Sequence, residues 1–213
     1  MSVALIRHGQ TDWNLQGLLQ GSSDVPLNAT GRQQARDAVG MLRSVPWDVV
    51  VSSPLARARE TAAIIAEELD VPLGEAYDDL VERDYGELEG TSSSAAIRRW
   101  PDRAYPGAES IDAVVARGLS ALERIASEHA DRAVLTVCHG TIIRYTLARL
   151  AGRPVPGIEN GSVSMLRPVP GGWTVATVNG VPLEDIPVDR AAGMPSRFGE
   201  ADASGDGDTD TPS

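Results

Sequence analysis

Residues 3–9, VALIRHG, and residues 134–140, VLTVCHG, are two apolar runs that each end in His-Gly. Continuous apolar runs of this kind are typical of strands that are buried on both faces of a parallel sheet. Parallel strands end at the same edge of the sheet, and open α/β folds bind their ligands outside that carboxyl edge. The sequence therefore predicts an α/β fold in which His8 and His139 lie close together at a ligand site.

The rest of the chain alternates strand-like and helix-like segments, which favours a three-layer α/β/α sandwich with a mainly parallel sheet. Strands are predicted over residues 3–7, 49–52, 133–138, 162–169 and 173–178, and helices over residues 30–44, 56–69, 95–100, 111–129 and 141–151. The segment 71–77 could be a further strand. Thr30 and Gln33 have the spacing of a capping box, so the first long helix is predicted to begin at Thr30.

The length of 213 residues, 42% of them apolar, suits one domain, which we place at residues 1–187. Residues 188–213 are predicted to form a disordered acidic tail, because their last part holds five carboxylates and almost nothing to bury. A single cysteine excludes an internal disulfide framework, and no apolar run reaches the roughly 18 residues that span a bilayer. The first residues lack the pattern of a signal peptide, so we expect a cytoplasmic protein.

The charge of the chain limits the classes of partner. The formal net charge of −11 argues against nucleic-acid and anionic-membrane binding, which both need a basic face. All 19 basic residues are arginines, and guanidinium groups bind phosphate or carboxylate through paired hydrogen bonds. A small anionic molecule is therefore the expected partner, and the two late strands could offer an edge for a homodimer.

Three strand ends carry side chains that suit a phosphate group. Arg7 and His8 follow the first strand, Arg57 follows the second, and His139 follows the late one. Two arginines and two histidines can offset the charge of a phosphate monoester, with Asn14 and backbone N–H groups as neutral donors. Each histidine is followed by a glycine, which lets the backbone approach a ligand closely.

Five separated motifs resemble those of the histidine phosphatase superfamily, and more narrowly its phosphoglycerate-mutase-like branch. They are RHGQTDWN at 7–14, DVPLN at 24–28, SSPLARARETA at 52–62, ERDYG at 82–86 and CHG at 138–140. The resemblance covers residues 3 to 166 in the expected order, and several motifs that agree are far more specific than one. It implies that the fold is phosphoglycerate-mutase-like.

The resemblance implies a metal-independent phosphatase that acts on small phosphate monoesters without a cofactor. His8 would be the nucleophile that attacks phosphorus and becomes a phosphohistidine. Glu82 would protonate the leaving alcohol and then take a proton from the water that hydrolyses the intermediate.

The resemblance also implies the groups that hold the phosphate. Arg7, Arg57 and His139 would bind the non-bridging oxygens and stabilise the transition state. The helical spacing does not distinguish Arg57 from Arg59, and the family motif selects Arg57. The residues implied in substrate binding are Arg7, Asn14, Gln20, Gly21, Arg57, Glu82, Tyr85, His139 and Gly140.

A cofactor-dependent phosphoglycerate mutase is the first alternative. The mutases of this superfamily have a longer insertion after the ERDYG-like motif, with a lysine and an arginine pair, whereas here residues 91–106 are short and lysine is absent. Arg98 and Arg99 are interpreted as the charged outer face of an amphipathic helix. A phosphatase is therefore favoured over a mutase.

Three other hypotheses fit the sequence less well. Cys138 and Arg144 have the Cys-x5-Arg spacing of thiolate phosphatases, but the apolar residues between them indicate an ordinary helix, and Cys138 is interpreted as a small buried hydrophobe. A phospho-ligand-binding module without turnover would have lost the nucleophile or the acid. A metal site on His8 and His139 lacks a third ligand, and the flanking arginines would repel a cation.

Overall fold

The computed structural model describes residues 2–188 and contains one mixed sheet of seven strands. The strands are β1 (Ser2–Arg7), β2 (Val49–Ser52), β3 (Leu73–Ala76), β4 (Ala133–Cys138), β5 (Val163–Val169), β6 (Gly172–Val178) and β7 (Val181–Pro182). Their order across the sheet is β3-β2-β4-β1-β5-β6-β7, with β3, β2, β4 and β1 parallel and the last three strands antiparallel. The predicted α/β fold with a parallel core is confirmed.

Six helices accompany the sheet within the described residues. They are α1 (Asp12–Leu15), α2 (Ala29–Leu42), α3 (Ala56–Leu69), α4 (Ser93–Arg99), α5 (Ile111–Glu128) and α6 (Gly140–Ala151), and three short 3-10 turns lie at Asp78–Leu80, Gly86–Leu88 and Leu183–Asp185. None of these helices is both long enough and apolar enough to cross a membrane.

Apolar side chains cover both faces of the sheet, which produces the three predicted layers. On one face α5 and α6 pack against residues such as Leu5 and Val134, and on the other α2 and α3 pack against residues such as Ile6 and Val50. Successive residues of β1 thus enter different cores, as the alternation of side chains along a strand requires. The buried runs in β1, β2 and β4 explain why the sequence signals these strands so clearly.

The central strands place the two His-Gly motifs together. β1 and β4 are parallel neighbours, with Arg7 opposite Cys138 in the register. The backbone N–H of His8 continues this pairing by donating to the carbonyl of Cys138 over 3.0 Å. The two histidines therefore leave the sheet side by side, at its carboxyl edge.

One predicted helix start is wrong. Helix α2 begins at Ala29, one residue before Thr30, because the side chain of Asn28 accepts from the N–H of Gly31 over 2.9 Å and so caps the helix. Gln33 donates to Asp37 on the same helix instead of completing a capping box. Asn28 is a better N-cap than threonine and precedes it in the chain, which accounts for the earlier start of the helix.

Other boundaries agree with the predictions to within a few residues. Helix α3 and strand β2 have the predicted bounds, and the segment 71–77, which could be a further strand, contains β3. The helix predicted over residues 95–100 begins at Ser93, because Ser92 caps it. The two-residue strand β7 is an addition that the sequence did not signal. Residues 189–213, most of the predicted acidic tail, lie outside the described residues, and the dimer edge on the late strands stays a prediction.

Candidate active site

The rings of His8 and His139 lie at the centre of the site, with 5.1 Å between their centroids. Both side chains are buried, although they carry ring nitrogens that need partners. Burial lowers the pKa of each imidazole well below 6.5, and the neighbouring charges of Arg7 and Arg57 lower it further. Both rings are therefore neutral at neutral pH.

The backbone fixes the tautomer of His8. Its Nδ1 lies 2.7 Å from the carbonyl oxygen of Gly9, and because a carbonyl can only accept, Nδ1 carries the proton. The Nε2 atom is then unprotonated, and its lone pair accepts a hydrogen bond from the Nε of Arg57 over 3.2 Å. A neutral imidazole with an oriented lone pair beside a cation is suited to nucleophilic attack on an anionic ester.

Arg57 extends from the first turn of α3 and is fully buried. Its two terminal nitrogens donate to the carbonyl oxygens of Ser23 and Gly21 over 2.9 and 2.8 Å. Arg59, which the sequence alone could not distinguish from it, is exposed on the other side of the helix. The structure thus brings Arg57 to His8 and leaves Arg59 outside the site.

Arg7 lines the same cavity from the end of β1. Its NH1 donates to the carbonyl of Ile158 over 2.6 Å, while its buried Nε has no protein partner among the described residues. A Cβ atom on Gly140 would lie 3.1 Å from that Nε, so the glycine leaves room for the guanidinium group. Arg7 therefore has an Nε–H donor that could bind a ligand in the cavity.

His139 stands at the N-cap position of α6. Its Nε2 lies 2.8 Å from the hydroxyl of Ser53, and its Nδ1 has no partner among the described residues. A buried ring nitrogen without a partner is uncommon in proteins, and a ligand oxygen would satisfy it.

Glu82 reaches the cavity from the segment between the first two 3-10 turns. Its carboxylate accepts from the backbone N–H groups of Thr141, Ile142 and Arg83 over 2.9, 3.2 and 2.8 Å. Two of these donors belong to the first turn of α6, so the carboxylate is anchored close to His139. The structure thus selects Glu82 from an acidic stretch in which the sequence offers several carboxylates.

A polar network forms one wall of the cavity. The amide of Asn14 donates to Gln20 over 3.2 Å, and the hydroxyl of Thr11 donates to the same Gln20 oxygen over 2.7 Å. Asn160 donates to Asn14 and to the backbone oxygen of His8, over 3.1 and 3.0 Å. Sequence reasoning missed Asn160, because it lies in a loop before β5 and reaches the site only through the packing of β5 on β1.

The remaining predicted site residues have distinct places. Tyr85 lines the cavity and its hydroxyl lies 2.7 Å from that of Thr141, while burial and the nearby Glu82 raise its pKa, so it stays a neutral phenol. Gly140 also lines the cavity. Gly21 acts through its carbonyl, which orients Arg57 rather than facing the cavity.

One cavity of ≈ 320 Å³, a size suited to a small molecule, is lined by the predicted site residues Arg7, His8, Asn14, Gln20, Glu82, Tyr85 and Gly140. Arg57 and His139 are not among its lining residues and adjoin it through His8. Several lining residues were not expected from the sequence: Leu18, Leu19, Ser93, Ile97, Arg103, Arg144, Tyr145, Gly157 and Ile158. Most come from α4, α6 and the loops around them, which the motifs do not cover.

Cys138 is not part of this cavity. It is buried among apolar side chains such as Leu80 and Leu122, and burial raises its pKa far above neutrality. The residues that follow it form the regular helix α6, and Arg144 on that helix lines the cavity that Cys138 does not line. The thiolate alternative is therefore wrong. Among residues 2–188, no cluster of three or more His, Cys, Asp or Glu side chains could hold a metal ion.

Comparison with known proteins agrees with this geometry. Residues 3–180 match the sequence profile described as the histidine phosphatase superfamily (branch 1). The chain is similar to the uncharacterized phosphatase PhoE of Bacillus subtilis, with 42% identity over 151 residues, covering 71% of this chain and 78% of the relative. It is also similar to the 2,3-bisphosphoglycerate-dependent phosphoglycerate mutase of a Methylobacterium species, with 37% identity over 177 residues, covering 74% of this chain and 85% of the relative.

A solved structure has the same fold. Bacillus stearothermophilus YhfR aligns with a TM-score of 0.75 and 27% identity, covering 84% of this chain and 97% of that one. The shared architecture thus spans nearly all of the described residues.

Proposed function

The chain belongs to the histidine phosphatase superfamily, and from that membership we propose that it is a metal-independent phosphatase that hydrolyses small phosphate monoesters through a phosphohistidine on His8. Family and relatives indicate an enzyme of the phosphatase and mutase type. The choice of hydrolysis, the intermediate and the substrate class are the proposal.

The observation that carries the proposal is the state of His8. Its Nδ1 proton is held by the Gly9 carbonyl, and its Nε2 lone pair lies beside Arg57. In the first step Nε2 forms a bond to phosphorus while the bond from phosphorus to the ester oxygen breaks. Glu82, protonated at this stage, gives its proton to the departing oxygen, so that a neutral alcohol leaves.

The second step returns the enzyme to its starting state. A water molecule attacks the phosphorus of the phosphohistidine, Glu82 takes a proton from that water, and the bond between phosphorus and Nε2 breaks. The products are inorganic phosphate and neutral His8. Throughout, Arg7 and Arg57 offset the charge on the phosphoryl oxygens, and the neutral ring of His139 donates a hydrogen bond to them.

A direct test is hydrolysis of an aryl phosphate in the presence of EDTA. The wild type and Cys138→Ser should be active, His8→Ala should be inactive, and Glu82→Gln should be strongly impaired. His129→Ala and Glu87→Gln are matched controls, since both residues lie outside the cavity, and they should behave as the wild type. Retained activity in His8→Ala would overturn the mechanism, and loss of wild-type activity in EDTA would overturn metal independence.

A phosphoglycerate mutase is the second candidate, and the similarity to the Methylobacterium mutase favours it. The absence of lysine and the exposure of Arg98 and Arg99 on α4, away from the cavity, argue for the phosphatase. The products of 3-phosphoglycerate discriminate the two: a phosphatase releases inorganic phosphate, whereas a mutase forms 2-phosphoglycerate when 2,3-bisphosphoglycerate is added. A phospho-ligand-binding module would do neither.

A further inference from the structure

An ion pair between Arg117 and Glu109 lies next to the segment that carries Glu82. The Nε and NH2 atoms of Arg117 donate to the two carboxylate oxygens of Glu109, each over 2.9 Å, which is the paired geometry of a strong charge-assisted contact. Only 18% and 20% of the two side chains is exposed, against 51% and 40% in the Arg124–Glu128 pair on α5. Burying charges is costly, so the remaining donors of Arg117 are expected to have partners close by.

The rest of the Arg117 guanidinium group binds the backbone around Glu82. Its NH1 donates to the carbonyl oxygens of Asp79 and Val81 over 2.8 and 2.9 Å, and its NH2 lies 3.5 Å from the carbonyl oxygen of Glu82 itself. Residues 81–85 belong to no helix or strand, so side chains are needed to satisfy carbonyl groups that secondary structure would otherwise pair. Arg117 thereby holds the backbone to which the side chain of Glu82 is attached.

Glu109 fixes the same segment just after Glu82. Its backbone N–H donates to the carbonyl of Asp84 over 2.9 Å, and its carbonyl accepts from the Nε of Arg83 over 2.7 Å. Burial would raise the pKa of its carboxyl group, but the hydrogen bonds and the charge of Arg117 outweigh burial and lower the pKa from 4.5. The carboxylate therefore stays charged at neutral pH, and the ion pair with Arg117 is retained there.

Arg117 also belongs to a helix that is packed tightly against α6, which binds the carboxylate of Glu82. It lies on α5, and a Cβ atom on the next residue, Gly118, would collide with the hydroxyl of Thr146 on α6. Such close packing leaves the two helices little room to shift relative to each other. The backbone of Glu82 is thus held from α5 and its carboxylate from the start of α6, by two helices in contact.

We propose that Arg117 is a positioning residue for the acid–base reaction, and that Glu109 assists it by holding its guanidinium group in place. The inference rests on the proposed function in one respect, namely that Glu82 gives a proton to the leaving alcohol. Arg117 does not line the cavity that His8 lines, so it acts on the reaction through Glu82 rather than by touching the substrate. Proton transfer needs a donor within hydrogen-bonding distance, so a small displacement of the carboxyl group slows that step.

The test compares two esters with similar rings that differ in their need for an acid. Benzyl phosphate releases an alcohol that must be protonated as it leaves, whereas 4-nitrophenyl phosphate releases a phenolate that is stable without a proton. Since kcat/KM reports the steps up to the release of the first product, the ratio of kcat/KM for benzyl phosphate to that for 4-nitrophenyl phosphate measures the contribution of the acid. In Glu82→Gln, which lacks the acid, this ratio should fall by about 10²-fold or more.

Two variants test the ion pair itself. In Arg117→Gln the ratio should fall by about 10- to 100-fold, because a displacement of about 1 Å is enough to cost about 10²-fold in rate. Glu109→Gln keeps the backbone hydrogen bonds of Glu109, so it should fold even if Arg117→Gln does not, and it should lower the ratio by a smaller factor. In Arg124→Gln, the same change in an exposed ion pair on α5, the ratio should keep its wild-type value.

The ratio separates positioning from a merely structural role. Two rates measured on one protein sample depend equally on the fraction of folded protein, so their ratio does not respond to partial unfolding. If Arg117 only stabilises the fold, both kcat/KM values fall together in Arg117→Gln and the ratio stays at the wild-type value. That result would overturn the inference.

The double variant of Glu82→Gln with Arg117→Gln shows whether Arg117 acts through Glu82. If it does, the double variant has the same ratio as Glu82→Gln alone, whereas independent effects would multiply and overturn the inference. A wild-type ratio in Glu82→Gln, or a wild type that hydrolyses neither ester, would overturn the proposed function and the inference with it. A reduced ratio in Glu82→Gln, with wild-type ratios in Arg117→Gln and Glu109→Gln, would overturn the inference alone.

Discussion

Arg57 donates a hydrogen bond from its Nε to the Nε2 of His8 over 3.2 Å, so a buried cation contacts the lone pair of the proposed nucleophile. An incoming phosphoryl group would displace the Nε of Arg57 from the Nε2 of His8. Its negative oxygens would then interact with the positive charge of the guanidinium group. The same arginine is fixed at its other end by Gly21 and Ser23. These hydrogen bonds fix the guanidinium group beside His8, and fixed donors of this kind are the condition for strong electrostatic stabilisation of a transition state.

The three hydrogen bonds of Arg57 predict that lysine cannot replace it. A lysine ammonium lacks the planar fork that reaches two carbonyls and His8 at once. Arg57→Lys should lower kcat on an aryl phosphate by about 10²- to 10³-fold, the usual effect of removing one transition-state donor. Arg59→Lys, two residues away and exposed, should keep the wild-type kcat. Equal kcat values for the two variants would contradict the role of Arg57.

Glu89 is predicted to position Arg57 from a distance. Its carboxylate accepts from the backbone N–H groups and the hydroxyls of Ser22 and Ser23, the segment whose carbonyls hold Arg57. Glu89→Gln replaces one acceptor by a donor and should lower kcat by roughly tenfold with a smaller change in KM, since transition-state stabilisation is affected most. Glu87→Gln, on the exposed surface nearby, is the control. A change confined to thermal stability would show that Glu89 has only a structural role.

The pH dependence of stability gives a second prediction for Glu89. Burial alone would raise its pKa, but the hydrogen bonds from Ser23 and Ser22 outweigh burial and lower it from 4.5. A carboxyl group whose pKa is lower in the folded protein stabilises the fold above pH 4.5 and loses this effect as the pH falls. Thermal melts should therefore separate wild type and Glu89→Gln at pH 7 and bring them together as the pH falls below 4.5. A constant difference would contradict the lowered pKa.

The two active-site histidines are predicted not to titrate near neutrality. Burial, with Arg7 and Arg57 close by, lowers the pKa of His8 and of His139 well below 6.5. An ordinary histidine becomes half protonated between pH 8 and 6.5. The ring ¹³C resonances of these two residues should stay constant over that interval, assigned by comparison with His8→Ala and His139→Ala. A midpoint near 6.5 for either ring would be incompatible with the buried, neutral pair.

Glycine at position 140 is predicted to matter for activity more than for folding. A Cβ atom there would lie 3.1 Å from the Nε of Arg7 and displace the guanidinium, whereas the position itself begins α6. Gly140→Ala should lower kcat/KM by about tenfold, with a change in unfolding free energy below about 1 kcal/mol. Gly40→Ala, on α2 with open space around it, should leave kcat/KM unchanged. Wild-type kcat/KM in Gly140→Ala would show that Arg7 tolerates the shift.

The parts of the fold that the sequence predicts well are those with local signals. The buried runs of β1 and β4 and the Ser110 cap of α5 depend on neighbouring residues, so the bounds of these elements can be predicted from one segment at a time. The start of α2 was misjudged because Asn28 and Thr30 both offer a side-chain cap. Only the structure shows that the side-chain oxygen of Asn28, and not that of Thr30, accepts from a backbone N–H group at the start of the helix.

The site depends on contacts between distant parts of the chain, and the sequence alone predicts such contacts less well than it predicts helices and strands. Helical spacing left Arg57 and Arg59 equivalent, and packing against β2 and the 21–23 segment decides between them. Arg103 and Arg144 carry no local signal, since they line the cavity only after α4 and α6 have packed. Asn160 likewise contacts Asn14 and His8 only after β5 has packed. For Glu82, the motif resemblance identified the residue where the spacing of carboxylates did not. The structure gives the physical reason, since the carboxylate of Glu82 accepts from two backbone N–H groups at the start of α6.

The most direct test of the account is to trap the covalent intermediate. Wild type and Glu82→Gln are mixed with a ³²P-labelled aryl phosphate and quenched in alkali, where phosphohistidine is stable, and the labelled peptide is identified. We expect an acid-labile label on the peptide that contains His8, with more of it in Glu82→Gln, because the water step needs a base. Label on another residue, or equal background labelling in wild type and His8→Ala alongside full turnover in both, would contradict the phosphohistidine mechanism.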